Sequence, residues 1–180
     1  MDESGLVNGC KRGDMLARRR LYELYAEKML ALCLRYTNND DVAHDLLHDG
    51  FIKIYSAIAT FRWLGEGSLR AWMSRVFVNL CLAWLKKRDL LRAPASLEAV
   101  NMADDEEPEI SEVPFAVLMG FVNELPPGYR AVFNLYVFEE WSHKEIAAKL
   151  NINEKSSSSQ LLRARQLLSK KIKDYIKRHG

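Results

Sequence analysis

The segment Trp141-Ser-His-Lys-Glu-Ile-Ala-Ala-Lys-Leu150, then Asn151-Ile-Asn153, then Glu154-Lys-Ser-Ser-Ser-Ser-Gln-Leu-Leu-Arg163 spells out two helices and the turn between them. Ser142 and Glu145 stand three residues apart at its start. In a capping box the serine hydroxyl accepts the N3 backbone N–H while the N3 glutamate reaches back to the cap. Trp141 and Ile146 flank that cap at the spacing of a hydrophobic staple. A cap of this kind stabilises a helix by about 1 kcal/mol. It also fixes where the helix begins, and so where the next one points. Asn151-Ile152-Asn153 makes a tight turn, and Asn153 is placed to cap a new helix at Glu154. A short helix, a three-residue turn and a second helix is the layout of a helix-turn-helix, whose second helix enters the major groove of DNA.

At 100° per residue, Ser156, Ser159, Gln160 and Arg163 share one face of that second helix. Leu161, Ala164, Leu168 and Ile172 share the opposite one. The first face is short, polar and rich in donors. Glutamine matches adenine, arginine matches guanine or phosphate, and serines let the backbone approach closely. The lysines and arginines at 170–178 suit phosphate, or else complement the helix dipole as a solvated basic end. The competing reading of the whole segment is a plain helical hairpin with a serine-rich exposed face.

Working outward, residues 129–138 form a further helix, Leu125-Pro-Pro-Gly128 stops the one before it, and residues 115–124 form that one. Residues 94–114 carry seven acidic side chains, three prolines and no basic residue. This composition reads as a flexible linker. Extended, its 21 residues reach about 70 Å, roughly two turns of B-DNA. Residues 1–93 carry 15 basic and 11 acidic side chains, and residues 115–180 carry 11 and 6. Two mildly basic halves therefore flank an acidic strip, which suits a polyanionic partner.

The first half shows only helix patterns. Residues 16–36 are good helix formers, broken by Asn38-Asn39-Asp40. From about Asp41 the apolar residues Val42, Leu46, Leu47, Phe51, Ile54, Tyr55, Ile58 and Phe61 repeat with helical period. After a glycine-containing break at 63–68, a third helix runs over 69–87 with Leu69, Met73, Val76, Phe77, Leu80 and Trp84 as its buried stripe. The fold class is therefore all-α: two small helical domains, 1–93 and 115–180, joined by the acidic linker 94–114.

Cys10, Cys33 and Cys81 are odd in number, far apart and without a CxxC pair, so they read as reduced residues of a cytosolic protein, the last two in the core. The first 20 residues have no apolar signal-peptide core, and the longest apolar run, 115–122, is too short to span a bilayer. His44 and His48 have the i, i+4 spacing of a helical metal pair. Ligand count argues against zinc, and no cofactor is expected. No phosphate-binding glycine loop, GxSxG or nucleophile–base pair is present, so the chain does not read as an enzyme.

These residues resemble the extracytoplasmic-function group of bacterial sigma-70 factors. The C-terminal resemblance rests on Leu125-Pro126, Phe133-x-Leu135, Trp141-Ser142-x-x-Glu145-Ile146-Ala147-x-x-Leu150 and Ser159-x-Leu161-x-Arg163-Ala164-Arg165. It is similar to the family's fourth conserved region, which reads the minus-thirty-five promoter element. The resemblance implies Lys155, Ser156, Ser159, Gln160, Arg163 and Arg165 as DNA contacts. The N-terminal resemblance rests on Val42-Ala-His-Asp45-Leu-Leu-His48-Asp49-Gly-Phe51, Phe61 and Trp72-Met73-x-x-Val76-x-x-Asn79. It is similar to the second conserved region, which binds core polymerase and melts the minus-ten element.

For the polymerase the resemblance implies Asp41, Asp45, His48, Asp49 and Lys53 on one helix face, which without it reads as an ordinary acidic, solvated surface. For the minus-ten element it implies Arg62, Trp63, Trp72, Arg75, Asn79, Lys86, Lys87 and Arg88. Of these, Trp72, Arg75, Asn79 and Lys86 lie within about 60° on the wheel. Aromatic and cationic groups beside a glycine-containing loop suit an unstacked base, worth about 1–3 kcal/mol of stacking. Core packing is the competing role for Trp63 and Trp72. The implied partners are promoter DNA, core RNA polymerase through its β′ clamp and β flap, and an anti-sigma factor; no membrane insertion is implied.

The chain departs from the family at three places. His48-Asp49-Gly50 stands where Gln-Glu-Thr is frequent. Ser157 and Ser158 replace an apolar β-branched and a basic residue, and the Ser157 hydroxyl is expected to bond a backbone carbonyl. Glu140 replaces a frequent glycine. The alternative to a sigma factor is a helix-turn-helix regulator that acts without core polymerase. A helical interaction module without DNA contact is a third class, against which the Ser156/Gln160/Arg163 face argues.

Overall fold

The computed structural model describes residues 1–92 and 107–180, and among these every regular element is helical. The chain separates into two compact units, Met1–Trp84 and Leu85–Gly180. Most of the expected linker, up to residue 106, lies outside the described residues. Its described remainder, 107–114, includes a turn closed by the Val113 N–H on the Ile110 carbonyl, and Val113 is buried.

The first unit contains α1 (Glu3–Lys11), α2 (Met15–Thr37), α3 (Asp40–Ala57), a 3₁₀ turn (Ile58–Thr60) and all but the last three residues of α4 (Ser68–Lys87). Three of the starts are written locally. Asp2, Asp14 and Asn39 each accept backbone N–H bonds from the first turn of α1, α2 and α3. Asn38 closes α2 in the left-handed conformation, at φ 46°. The sequence pattern gives no helix at residues 1–12. At nine residues α1 is too short to persist alone, and it exists because Leu6, Val7 and Cys10 are buried. Cys33 and Cys81 are likewise buried.

Helix α3 buries Ala43, Leu46, Leu47, Phe51 and Ile54, close to the expected stripe. Phe51 sits at the centre of this core, with ring centroids 4.7 Å from Tyr22 on α2 and 5.6 Å from Phe77 on α4. Gly50 is part of this packing. A Cβ there would lie 2.1–2.7 Å from Phe77 ring atoms, so α3 and α4 approach closely only because residue 50 has no side chain. On α4 the buried row is Leu69, Met73, Phe77, Cys81 and Leu85, all fully buried. The expected Val76, Leu80 and Trp84 are only half-buried. They form the neighbouring row of four-residue steps and flank the seam rather than filling it.

The second unit contains α5 (Phe115–Asn123), α6 (Pro127–Phe133), a π-helical turn (Asn134–Phe138), α7 (His143–Leu150) and α8 (Glu154–His179). Val122, Leu125, Tyr129, Ala164 and Leu168 form one cluster of its core, with Met119, Phe121, Phe133 and Leu167 packed around them. The Leu125–Gly128 stretch is not only a stop. Pro127 occupies the first turn of α6, where a proline costs nothing because its missing N–H would have no helical partner. Arg130 is buried beneath this junction. Its Nη1 donates to the Asn123 carbonyl at 2.6 Å, which satisfies a free carbonyl at the end of α5. Burial lowers the pKa of its guanidinium.

Candidate nucleic-acid interface

The helix-turn-helix is built by bonds that span three residues. The Ser142 hydroxyl accepts the Glu145 N–H at 3.2 Å, and Glu145 Oε2 accepts the Ser142 N–H at 2.9 Å. This is the capping box expected from the sequence. Asn151 ends α7 at φ 55°, and the Asn153 side chain caps α8 by accepting the Ser156 N–H at 2.7 Å. The opposite side of α8 is buried at Leu161, Ala164, Leu168 and Ile172, as the wheel requires.

The outward face carries a concavity of about 370 Å³ lined by Tyr129, Asn153, Lys155, Ser156, Ser159, Gln160 and Arg163. Five of the six expected contacts on α8 thus share one surface. Arg165 is placed elsewhere, with its guanidinium carbon 5.9 Å from the centroid of the Tyr136 ring. Nine residues from Ser156, it falls half a turn round the helix. In the basic tail, Lys171 is paired with Glu124.

Ser157 is fully buried, and its hydroxyl meets a side chain rather than the expected backbone carbonyl. Its Oγ lies 2.9 Å from His143 Nδ1, and the His143 ring stacks on Tyr136 at 4.7 Å. A buried hydroxyl without a partner costs about 1–3 kcal/mol, so a serine at this core position needs the histidine at the start of α7. The signal in the sequence was the polar residue on the apolar stripe; its partner, 14 residues away, was not legible.

In the first unit, Arg62 and Trp63 are exposed on the loop before α4, which turns at Gly65 (φ 120°) and Gly67 (φ 85°). Leu64 at its tip is 85% exposed. Trp72 is half-buried and stacks on Phe61 at 4.7 Å and 26°. Arg75 is exposed and Asn79 half-buried further along α4, with Lys86, Lys87 and Arg88 exposed at its end. Nothing in the sequence pattern singles out Glu3. Its Oε1 accepts the Trp63 indole N–H at 3.0 Å and the Leu69 N–H at 3.2 Å, and its Oε2 accepts the Gly67 N–H at 3.1 Å. The Glu3 charge also reaches Tyr25, whose pKa is raised by burial first and by that charge next.

Asp41, Asp45, His48, Asp49 and Lys53 are all exposed on α3, and Ile52 lies among them at 56% exposure. Gly50 does not belong to this face, since it is buried against Phe77. The departure at that position therefore bears on core packing. His44 Nδ1 is directed at the Asp40 carbonyl, 2.9 Å away. Among the described residues no group of three His, Cys, Asp or Glu side chains is placed to hold a metal, and no helix is long and apolar enough to cross a membrane.

Two family models match the chain: sigma-70 region 2 over residues 21–90 and sigma-70 region 4 over residues 116–168. Both matched stretches coincide with the surfaces just described, and the chain belongs to the sigma-70 family. Within that family it is of the extracytoplasmic-function (ECF) group. The ECF RNA polymerase sigma-E factor of Escherichia coli K12 is 28% identical over 186 residues, covering 96% of this chain and 95% of its own. The ECF RNA polymerase sigma factor SigE of Mycolicibacterium smegmatis is 27% identical over 176 residues, covering 93% of this chain and 66% of its own.

Among solved structures, CnrH in complex with the cytosolic domain of CnrY superposes with a TM-score of 0.51 at 21% identity, covering 94% of this chain and 96% of that one. The sigma factor RpoE of Bartonella quintana, in complex with the anti-sigma factor NepR, gives a TM-score of 0.52 at 19% identity, covering 84% and 94%. These likenesses show the shared helical fold.

Proposed function

We propose that this chain binds core RNA polymerase and directs it to specific promoters. The carrying observation is that matches to regions 2 and 4 occur in one chain, the second presenting Ser156, Ser159, Gln160 and Arg163 around a single concavity. Residues 115–180 read the minus-thirty-five duplex, with Gln160 and Arg163 at base edges and Lys155 and Asn153 toward phosphate. Residues 1–93 open the minus-ten element. Trp63 and Leu64 are exposed for contact with an unstacked base, and Arg62, Arg75, Lys86, Lys87 and Arg88 hold phosphates. Trp72 backs this surface through Phe61 and contributes an edge. Strand opening is driven by capture, because about 1–3 kcal/mol per stacked base matches the cost of unstacking it.

The exposed α3 face of Asp41, Asp45, His48, Asp49 and Lys53 contacts the polymerase β′ clamp, and region 4 contacts the β flap. The chain supplies binding and orientation, and the polymerase supplies the chemistry. It acts in the cytoplasm, where polymerase and promoters are. Both solved neighbours were captured with a protein bound, in one case a stated anti-sigma factor, which supports an anti-sigma partner here.

The test is reconstituted transcription with purified core polymerase. Promoter-specific transcripts that require this protein are the expected result. Failure to bind core polymerase at low salt would overturn the reading in favour of an independent helix-turn-helix regulator.

A further inference from the structure

The least expected feature of the first unit is the convergence of three N–H groups on one carboxylate from the far end of the chain. Glu3 sits in the first turn of α1, yet it takes donors from Trp63, Gly67 and Leu69. These three span the whole loop before α4. The Gly67 and Leu69 N–H groups belong to the start of that helix, where orphan donors and the positive end of the helix dipole favour an anion. Gly65 and Gly67 both take positive φ, so the loop has little backbone preference of its own. Three local bonds close its tip: Ser68 Oγ donates to the Gly65 carbonyl at 2.7 Å, the Ser68 N–H donates to the same carbonyl at 3.1 Å, and Ser68 Oγ accepts the Leu64 N–H at 3.1 Å; none of them involves Trp63. The Trp63 indole N–H is bonded to Glu3, so the orientation of the ring depends on that carboxylate.

We propose that Glu3 is a positioning residue for strand capture, holding the Trp63 ring and the loop at 62–68 in the shape that receives an unstacked promoter base. This rests on the reading of that loop as the minus-ten contact. Preorganisation is the physical content: ordering the loop in advance removes a cost that would otherwise be met on binding.

The experiment measures binding of a single-stranded minus-ten oligonucleotide by holoenzyme assembled from core polymerase and the full-length chain. Wild type, Glu3→Ala, Glu3→Gln, Trp63→Ala and the Glu3→Ala/Trp63→Ala double variant are compared. Core affinity, minus-thirty-five duplex binding and Tm of the free protein are measured alongside. Glu3→Ala is expected to weaken single-strand capture roughly tenfold, the scale of a lost charge-assisted hydrogen bond, with core and duplex binding unchanged. Glu3→Gln keeps one accepting oxygen and should fall between; it decides the matter if Glu3→Ala does not fold. In the Trp63→Ala background the Glu3 effect should shrink or vanish, because residues acting as one unit are not additive.

Full additivity in the double variant would overturn the inference by showing that Glu3 serves general stability. Normal capture by Glu3→Ala beside impaired capture by Trp63→Ala would overturn it while leaving the loop reading intact. Normal capture by Trp63→Ala would sink the loop reading itself, and the inference with it.

Discussion

In the helix-turn-helix the capping bonds join residues three apart: Ser142 with Glu145, and Asn153 with Ser156. In the first unit, the loop before α4 is held by Glu3 from 60, 64 and 66 residues away. The recognition helix is thus aimed by its own sequence, whereas the loop is aimed by a helix that exists only when the unit is folded. This suits their different tasks. A duplex groove is a regular target that a rigid, locally specified helix can meet. An unstacked base must be caught by a surface set in advance, and only the surrounding fold can set a glycine-containing loop.

The largest expected effect separates the two surfaces directly. Arg163→Ala should weaken minus-thirty-five duplex binding by about 1–3 kcal/mol, seen as a loss of roughly five- to 150-fold in a titration at fixed salt. Arg75→Ala should leave that titration near wild type and slow promoter opening. If both variants lost only duplex affinity, the division of labour between the units would be wrong.

Next comes the packing that carries the loop. Gly50→Ala adds a Cβ where Phe77 ring atoms lie 2.1–2.7 Å away. Phe77 is fully buried and wedged against Phe51, so it has nowhere to go. Alanine gains about 1 kcal/mol of helix propensity over glycine, but overpacking of this kind costs typically 1–3 kcal/mol. A net loss is expected, read as a lower Tm of the isolated protein. An unchanged or raised Tm would show that α3 and α4 can separate without penalty.

These contrasts explain what the sequence disclosed. The caps of α7 and α8 and the apolar side of α8 were legible because each is a pattern within a few residues. So was most of the α3 stripe. Helix α1 was not legible, since nine polar-leaning residues become a helix only through burial of Leu6, Val7 and Cys10. Glu3 looked like one acid among many, and its three donors are written some sixty residues further on. Gly50 read as a departure on a polar face because position in a family pattern says nothing about what stands opposite. The same pattern implies Arg165 as a DNA contact; the wheel puts it on the far side of α8 from Ser156, and the fold sets it over the Tyr136 ring. The Ser157 case lies between: its place on the apolar stripe announced a buried hydroxyl, but only the fold supplies His143.

A smaller effect tests the local side of the comparison. Ser142→Ala removes the hydroxyl from the capping box and should cost about 1 kcal/mol. The loss should appear in duplex binding as well as in stability, because the cap fixes where α7 starts and hence the direction of α8. Single-strand capture by the holoenzyme should not change. A defect there would mean that the two surfaces are not independently specified.

The smallest expected effect is a gain. Glu140 takes φ 56° in the turn before α7, a left-handed conformation that costs a residue with a Cβ about 1–2 kcal/mol. Glycine takes it freely, although its greater freedom in the unfolded chain returns part of the difference. Glu140→Gly should therefore raise stability by up to about 1 kcal/mol, a Tm increase of a few degrees. Minus-thirty-five affinity should be unchanged, since the turn already has the shape that glycine prefers. A fall in Tm would mean that the Glu140 side chain makes a compensating contact, and the turn would then depend on more than its own backbone, as the loop before α4 depends on Glu3.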